Sequence, residues 1–304
     1  MLIYYNNLVK VYHGDSRVII PQVVPDNTID LLLTSPPFPL LNPKPYGNPP
    51  QNEYVNWFLK YVDIFINKLK PTGSIVIDFG NTFIKGIPAY NVYQFEILCR
   101  LVNDYGLYLA QPMYWHNPSR LPLPYAYVCN QKIRVKDVID NVWWLTKDPD
   151  RCKSDTTKVL KPYSKSMLKY FKAHDENTTT WRKGNGALPT NLLSIPNTNN
   201  NTKYHIICRK LKLSSQPSTM PQKLVEFFIK MLTDPNDNVL DPFSGSNTTG
   251  YVAQLLNRQS ISIEQDLNYI ALSSFRFIHD ENNAEYVYNN ILNKTNIPIN
   301  VDLY

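Results

Sequence analysis

The sequence predicts an α/β fold built on a doubly wound, mixed but mostly parallel sheet, and three features carry that expectation. Ile29-Asp30-Leu31-Leu32-Leu33 and Ser74-Ile75-Val76-Ile77-Asp78 are short apolar runs, each dense enough to be buried on both faces. A helical pattern lies between them and another follows, and strand–helix alternation of this kind implies a doubly wound sheet. Far along the chain the unit recurs: Asn238-Val239-Leu240-Asp241, a turn rich in Gly, Ser and Thr, a helix, and the apolar run Ile261-Ser262-Ile263-Glu264.

Each element has its own signal. The first strand ends at Thr34-Ser35-Pro36-Pro37, because proline cannot donate to a ladder, which puts Ser35 just past the strand's carboxyl end. After a loop rich in Pro, Asn and Gly, the positions Val55, Phe58, Leu59, Val62, Ile66 and Leu69 predict one amphipathic helix, capped by Asn52 and stopped by Pro71-Thr72-Gly73. Phe95, Leu98, Leu101 and Val102 mark a further helix before Asp104-Tyr105-Gly106. From Lys147 to Ser215 no periodicity is defensible, and the stretch reads either as a mobile surface insertion or as a recognition segment. Order returns with Leu224, Phe227, Phe228, Met231 and Leu232, a helix stopped by Asp234-Pro235, and after the strand to Asp241 a helix is expected over Tyr251–Leu256.

At 304 residues, about three quarters of the unfolded surface can be buried, so core size sets no limit. The formal net charge is +6, and Lys132 to Lys172 alone holds eleven Lys/Arg against five Asp/Glu. That clustering suits a polyanion, although a charge run also serves as a plain solvated face. The four cysteines are far apart and not at zinc spacing with histidine, so reduced, mostly buried thiols are expected and no metal site. No apolar run approaches the roughly 18 residues of a membrane span, and the start of the chain lacks a leader pattern, which leads to an expectation of a cytoplasmic protein.

Two phrases carry chemistry. A strand ending in Asp241, then small residues, then a helix forms the ligand crevice of open α/β sheets. Glu264 ends the next strand 23 residues later, near the roughly 20-residue offset at which a carboxylate meets ribose hydroxyls. A ribosyl ligand is implied, though such turns also occur as tight packing alone. In Thr34-Ser35-Pro36-Pro37-Phe38, two prolines fix the backbone so that the Ser35 hydroxyl and the Pro36 carbonyl present two acceptors to a single amine, while the same residues also read as an ordinary proline turn. Asp78 is placed either to take a proton through Ser35 or to cap the turn Phe79-Gly80-Asn81. Trp115 is a candidate pocket wall or core, Trp143 and Trp144 are core, and none of the five histidines is expected as ligand or base.

Asp241-Pro242-Phe243-Ser244-Gly245-Ser246-Asn247-Thr248-Thr249 and Ser35-Pro36-Pro37-Phe38 together resemble the motifs of S-adenosylmethionine-dependent DNA amino-methyltransferases, which methylate an exocyclic amine of a flipped base. The order, catalytic phrase first and a basic irregular segment between, resembles the beta class, whose Rossmann-like methyltransferase fold carries its motifs in permuted order. More narrowly, Glu53-Tyr54-Val55-Asn56-Trp57-Phe58-Leu59, Leu69-Lys70-Pro71-Thr72-Gly73-Ser74, Lys132-Ile133-Arg134-Val135-Lys136-Asp137 and Val142-Trp143-Trp144 resemble the PvuII-type cytosine-N4 modification methyltransferases.

The resemblance implies Ser35, Pro36, Pro37, Phe38 and Asp78 as catalytic, with Phe38 stacking on the base. It implies Asp15 at the adenine, Glu264 at the ribose, Phe243 and Gly245 at the methionine end, and Asp241, Ser244, Ser246, Asn247, Thr248 and Thr249 completing the cofactor site. Residues 1–146 and 216–304 would then be the catalytic and cofactor-binding domain, and 147–215 the target-recognition segment. Asn247 stands where relatives more often have Gly; Asn also tolerates positive φ. Lys132, Arg134, Arg151, Lys153 and Arg182 are the candidate contacts to double-stranded DNA, and a restriction endonuclease is the expected functional companion. Serine at position 35 points to cytosine N4, with adenine N6 as the alternative. A catalytically silent DNA-binding relative and a methyltransferase for RNA or a small molecule stay as rivals.

Overall fold

The computed structural model describes residues 1–41, 47–173, 186–198, 201–293 and 297–304. Ten strands in these residues form one sheet: β1 (Leu2–Tyr5), β2 (Val9–His13), β3 (Ile29–Thr34), β4 (Leu69–Phe79), β5 (Tyr108–His116), β6 (Ile139–Thr146), β7 (Leu192–Ser194), β8 (Asn238–Asp241), β9 (Gln259–Glu264) and β10 (Ile299–Asn300). Their order is β10-β1-β2-β9-β8-β3-β4-β6-β5-β7. The block β2-β9-β8-β3-β4 is parallel throughout, and antiparallel β6 and β1 make the sheet mixed.

Every residue of β3 is buried, because helices cover both faces. Successive side chains alternate between them. Leu32 packs with Ile75 and Ile77 under the helices Ser16–Val23, Tyr54–Leu59, Val62–Lys68 and Tyr93–Asn103, whereas Leu31 and Leu33 pack with Val76 under the helices Gln222–Leu232 and Thr248–Leu255. From β3 the chain moves outward to β4, and from β8 it moves outward the other way to β9. The winding reverses between β3 and β8, and in open α/β sheets the crevice beyond such a switch point is where ligands bind.

Several expectations change. The single helix expected over 55–69 is two short helices that break at Lys60-Tyr61; Glu53, not Asn52, stands at the cap. β4 already begins at Leu69, so Pro71-Thr72-Gly73 lies inside it. The pairing of β3 with β4 shifts register between Ile29 and Leu31, which lets the ladder tolerate the proline. The helix Tyr93–Asn103 buries Tyr93, Gln94, Ile97 and Leu101, leaving Phe95 and Val102 exposed. Only Cys208 is fully buried; Cys99 is exposed, and Cys129 and Cys152 are partly so.

The stretch 147–215 does not stand apart. Lys153 and Asp155 bond through backbone N–H to Thr72 and Met231, β7 extends the sheet edge along β5, and helix Lys203–Lys210 buries Tyr204, Ile207 and Cys208 beside Tyr4 and Phe275. Both ends of the segment are built into the body, because their apolar side chains complete its cores.

Candidate active site

The catalytic and cofactor phrases converge. Thr34 ends β3 and Asp241 ends the adjacent β8, and the Thr34 hydroxyl donates to Asp241 Oδ1 at 2.8 Å. Beyond these tips opens a cavity of about 1120 Å³ lined by Asp15, Ser35, Pro36, Phe38 and Glu264 among others. A recess of about 40 Å³ adjoins it, lined by Asp241, Ser244, Ser246, Thr248 and Thr249; Ser35, Gln216 and Phe243 border both.

Ser35 donates its hydroxyl hydrogen to Asp78 Oδ2 at 3.1 Å. Asp78 is buried, and its Oδ1 has no hydrogen-bond partner. Burial and neighbouring Asp140 push its carboxyl well above the ordinary carboxylate range, while the Ser35 bond and Arg120 oppose them. Asp140 is buried too and is held in a two-pronged bond by the Arg120 guanidinium, with Nη1 2.8 Å from Oδ1. β4 and β6 pair Asp78 with Val142, so Asp140, two residues before Val142, lies diagonally across on the same face. Phe38 lies over Gly80, where a Cβ would stand 2.6 Å from the Phe38 ring carbon Cδ2. The glycine thus lets the ring settle against backbone beside the pocket.

On the other side, burial pushes the Asp241 carboxyl up to about 6, with hydrogen bonds from Thr34, Thr249 and the Phe243 N–H pulling the other way. Gly245 has φ +48 and donates its N–H to Glu264 Oε2 at 2.8 Å. Glu264 Oε1 accepts from the N–H groups of Gln265 and Asp266. Burial raises the Glu264 carboxyl, and these three backbone bonds oppose the rise. Beside Glu264, whose backbone oxygen accepts the Gly14 N–H at 2.9 Å, Arg17 Nε holds both oxygens of Asp15, at 3.1 and 3.0 Å, and lowers that carboxyl's pKa.

Asn247 adopts φ 54 as the positive-φ expectation requires, but it lines neither recess. It caps the helix Thr248–Leu255 by accepting from Gly250 N–H at 3.1 Å and takes a second bond from Ser262 Oγ. Gly245 is likewise screened from both recesses, and a Cβ there would meet Gln216 Cδ at 2.7 Å.

Two basic residues expected on DNA sit elsewhere. Lys153 Nζ bonds Asp237 at 2.6 Å and stands 3.2 Å from Asp234 and 3.9 Å from Asp30. Asp30 and Asp237 mark the amino ends of β3 and β8, opposite the cavity, so this ammonium is neutralised on the far side of the sheet. Arg151 lies on that side as well, 4.0 Å from Asp148. Lys132 and Arg134 are exposed on the β5–β6 connection, at the cavity end. Arg182 lies outside the described residues. Trp115 is core: it is buried, lines neither recess, and donates Nε1–H to Ile195 O at 2.8 Å.

Sequence reasoning missed Arg120, Asp140 and Arg276. Arg276 is buried behind the cofactor turn, donating Nε–H to Ser246 O at 2.6 Å and Nη2–H to the hydroxyls of Ser246 and Thr248 at 3.2 Å. No local pattern marks these residues, since each works with a partner distant along the chain.

A nucleoside bearing an amino-acid tail suits this set of carboxylate acceptors and hydroxyls. Carboxylates Asp15 and Glu264 face the large cavity, Phe243 bridges the two spaces, and the buried Ser244 hydroxyl of the small recess has no hydrogen-bond partner. Among the described residues no helix is long and apolar enough to cross a membrane.

A DNA methylase family model matches residues 29–275, and the chain belongs to that family. The type II methyltransferase M.PvuII of Proteus hauseri is 42% identical over 307 residues, covering 96% of this chain and 91% of that protein. M.BglII of Bacillus subtilis is 27% identical, with 88% and 68% covered. Among solved structures, the PvuII DNA methyltransferase, described as cytosine-N4-specific, superposes with a TM-score of 0.83 at 40% identity over 99% of this chain and 98% of that one. The M1.HpyAVI–SAM complex, at 20% identity and a TM-score of 0.52 over 88% and 100%, shares the fold.

Proposed function

We propose that this chain methylates the exocyclic N4 of a cytosine flipped out of double-stranded DNA, using S-adenosylmethionine. The carrying observation is the Thr34–Asp241 hydrogen bond, which sets the catalytic serine and the cofactor turn on neighbouring strand tips. A relative 42% identical over nearly the whole chain supports the same reading. Asp15 and Glu264 would hold the nucleoside, and Ser244, Ser246, Thr248 and Thr249 the methionine end, of a cofactor that supplies an electrophilic methyl on a sulfonium.

The amino nitrogen of cytosine is a poor nucleophile because its lone pair is delocalised into the ring. Ser35 Oγ and the Pro36 carbonyl accept its two N–H bonds and hold the nitrogen nearer tetrahedral, aimed in line at the methyl. As the new N–C bond forms, the methyl–sulfur bond would break and leave its electron pair on a neutral thioether, and the nitrogen, now cationic, must lose a proton. Ser35 takes it and passes its own to Asp78, whose raised pKa makes it a stronger proton acceptor than an ordinary carboxylate. Phe38 stacks on the base, and the target is read from within the segment 147–215. We assign the chain to a cytoplasmic restriction–modification system with a partner endonuclease.

The test is incubation with labelled cofactor and DNA, hydrolysis, and identification of the modified nucleoside. N4-methyldeoxycytidine is expected. N6-methyldeoxyadenosine would overturn the assignment from Ser35, and DNA binding without transfer would mark a silent relative.

A further inference from the structure

The connection between β5 and β6, residues 117–138, forms part of the cavity rim, where Arg120, Leu123, Pro124 and Asp137 line the opening. Several large side chains of this connection stand out into solvent: Leu121 is 70% exposed, Leu123 54%, Tyr125 60% and Val135 88%. Side chains left in water at this level contribute nothing to the core. The projection is nonetheless braced. Arg120 grips buried Asp140, the N–H groups of Ile133 and Arg134 both donate to Tyr127 O, the Tyr127 ring packs 5.5 Å from Phe83, and Arg134 Nη2 donates to Pro88 O at 2.7 Å. Exposed Lys132, Arg134 and Lys136 flank the apolar residues.

A rigid apolar tip between cations, beside a pocket deep enough for a base, matches the cross-section of a duplex, which is apolar in the stack and anionic outside. We propose that Leu121 and Leu123 form a wedge that enters the base stack at the place the target nucleotide vacates, while Lys132 and Arg134 meet the adjoining phosphates; this rests on the DNA-methyltransferase reading above. Extruding a base gives up stacking and pairing, and an apolar side chain filling the gap recovers part of that loss. The wedge stabilises the extruded state and takes no part in methyl transfer. Its loss is therefore repaired by a substrate whose target base is already loose.

The experiment compares the wild type with the double variant Leu121→Ser/Leu123→Ser on two duplexes carrying one site that the wild type labels. In one the target cytosine faces guanine; in the other it faces an abasic position. The double variant should lose roughly tenfold or more in kcat/KM on the paired duplex and less than about threefold on the abasic one. Leu121→Met/Leu123→Met should restore the paired rate. Because both side chains are exposed, folding should be intact, checked by an unchanged Tm and cofactor affinity. Equal losses on the two duplexes, or no loss on the paired one, would overturn the wedge. Absence of label with the wild type would instead sink the methyltransferase reading itself.

Discussion

At the scale of single residues, the site is two buried carboxylates sharing one guanidinium behind one hydroxyl. Burial first, and then the charge of neighbouring Asp140, hold a proton on Asp78 more tightly than water would, against the pull of the Ser35 bond and Arg120. As the proposed acceptor of the reaction proton Asp78 must be ionised, so the rate should fall as pH drops through its raised pKa. Asp140→Asn removes one of the causes of that rise and leaves Arg120 nearby, so the acid limb of the kcat profile should move to lower pH. A loss of rate with an unmoved limb would reduce Asp140 to a purely structural role. Ser35→Ala should cost about 10²–10⁴ in kcat, the usual range for a positioned proton-transfer group, with cofactor affinity by calorimetry unchanged. Ser35 and Asp78 were legible in the sequence because each ends an apolar strand run. Arg120 and Asp140 were not, because their pairing depends on the return of the chain from β5 to β6.

At the scale of elements, the turn after Asp241, the proposed cofactor turn, depends on support from behind. Arg276 fixes the Ser246 carbonyl and two hydroxyls while stacking 4.6 Å from the Tyr204 ring. Tyr204 belongs to the helix Lys203–Lys210, and its hydroxyl accepts the N–H of Gln216, whose side-chain carbonyl in turn accepts the N–H of Ser246. Arg276→Met keeps much of the side-chain volume but leaves buried acceptors unpaired, at about 1–3 kcal/mol. The expected outcome is a cofactor dissociation constant raised roughly tenfold or more and a Tm lower by several degrees; an unchanged dissociation constant would remove Arg276 from the positioning of the turn. The sequence identified the turn itself and the φ tolerance of Asn247. The motif placed Asn247 among the cofactor residues, whereas the structure shows it capping the helix behind the turn, where local sequence does not reveal which groups its side chain meets.

At the scale of the whole molecule, charge is sorted by the two ends of the sheet. The cavity end carries exposed Lys132 and Arg134, and the other end ties Lys153 and Lys158 to Asp234 and its neighbours. DNA affinity should therefore fall with salt, and Lys132→Glu or Arg134→Glu should weaken it and reduce the slope of log K against log salt by about 0.9 for each phosphate that is no longer neutralised. Lys153→Glu should lower Tm and leave that slope unchanged, because it disrupts a carboxylate cluster far from the cavity. Anisotropy titrations at several salt concentrations separate the two. Counting charges along the chain could not make this distinction, since Lys132 and Lys153 look alike until β6 carries the chain from one end of the sheet to the other.

Local sequence by itself determined the parallel strands, the turn that follows Asp241 and the serine presented after β3, because apolar runs, prolines and small residues act on backbone within a few positions of themselves. Only the tertiary structure decided that Thr34 and Asp241 would be neighbours, that Asp140 and Arg120 would stand behind Asp78, and that the cations of one basic stretch would divide between opposite ends. Those outcomes depend on strand order and on which side chains meet across it, and electrostatic and hydrogen-bond energies are set by distance in space.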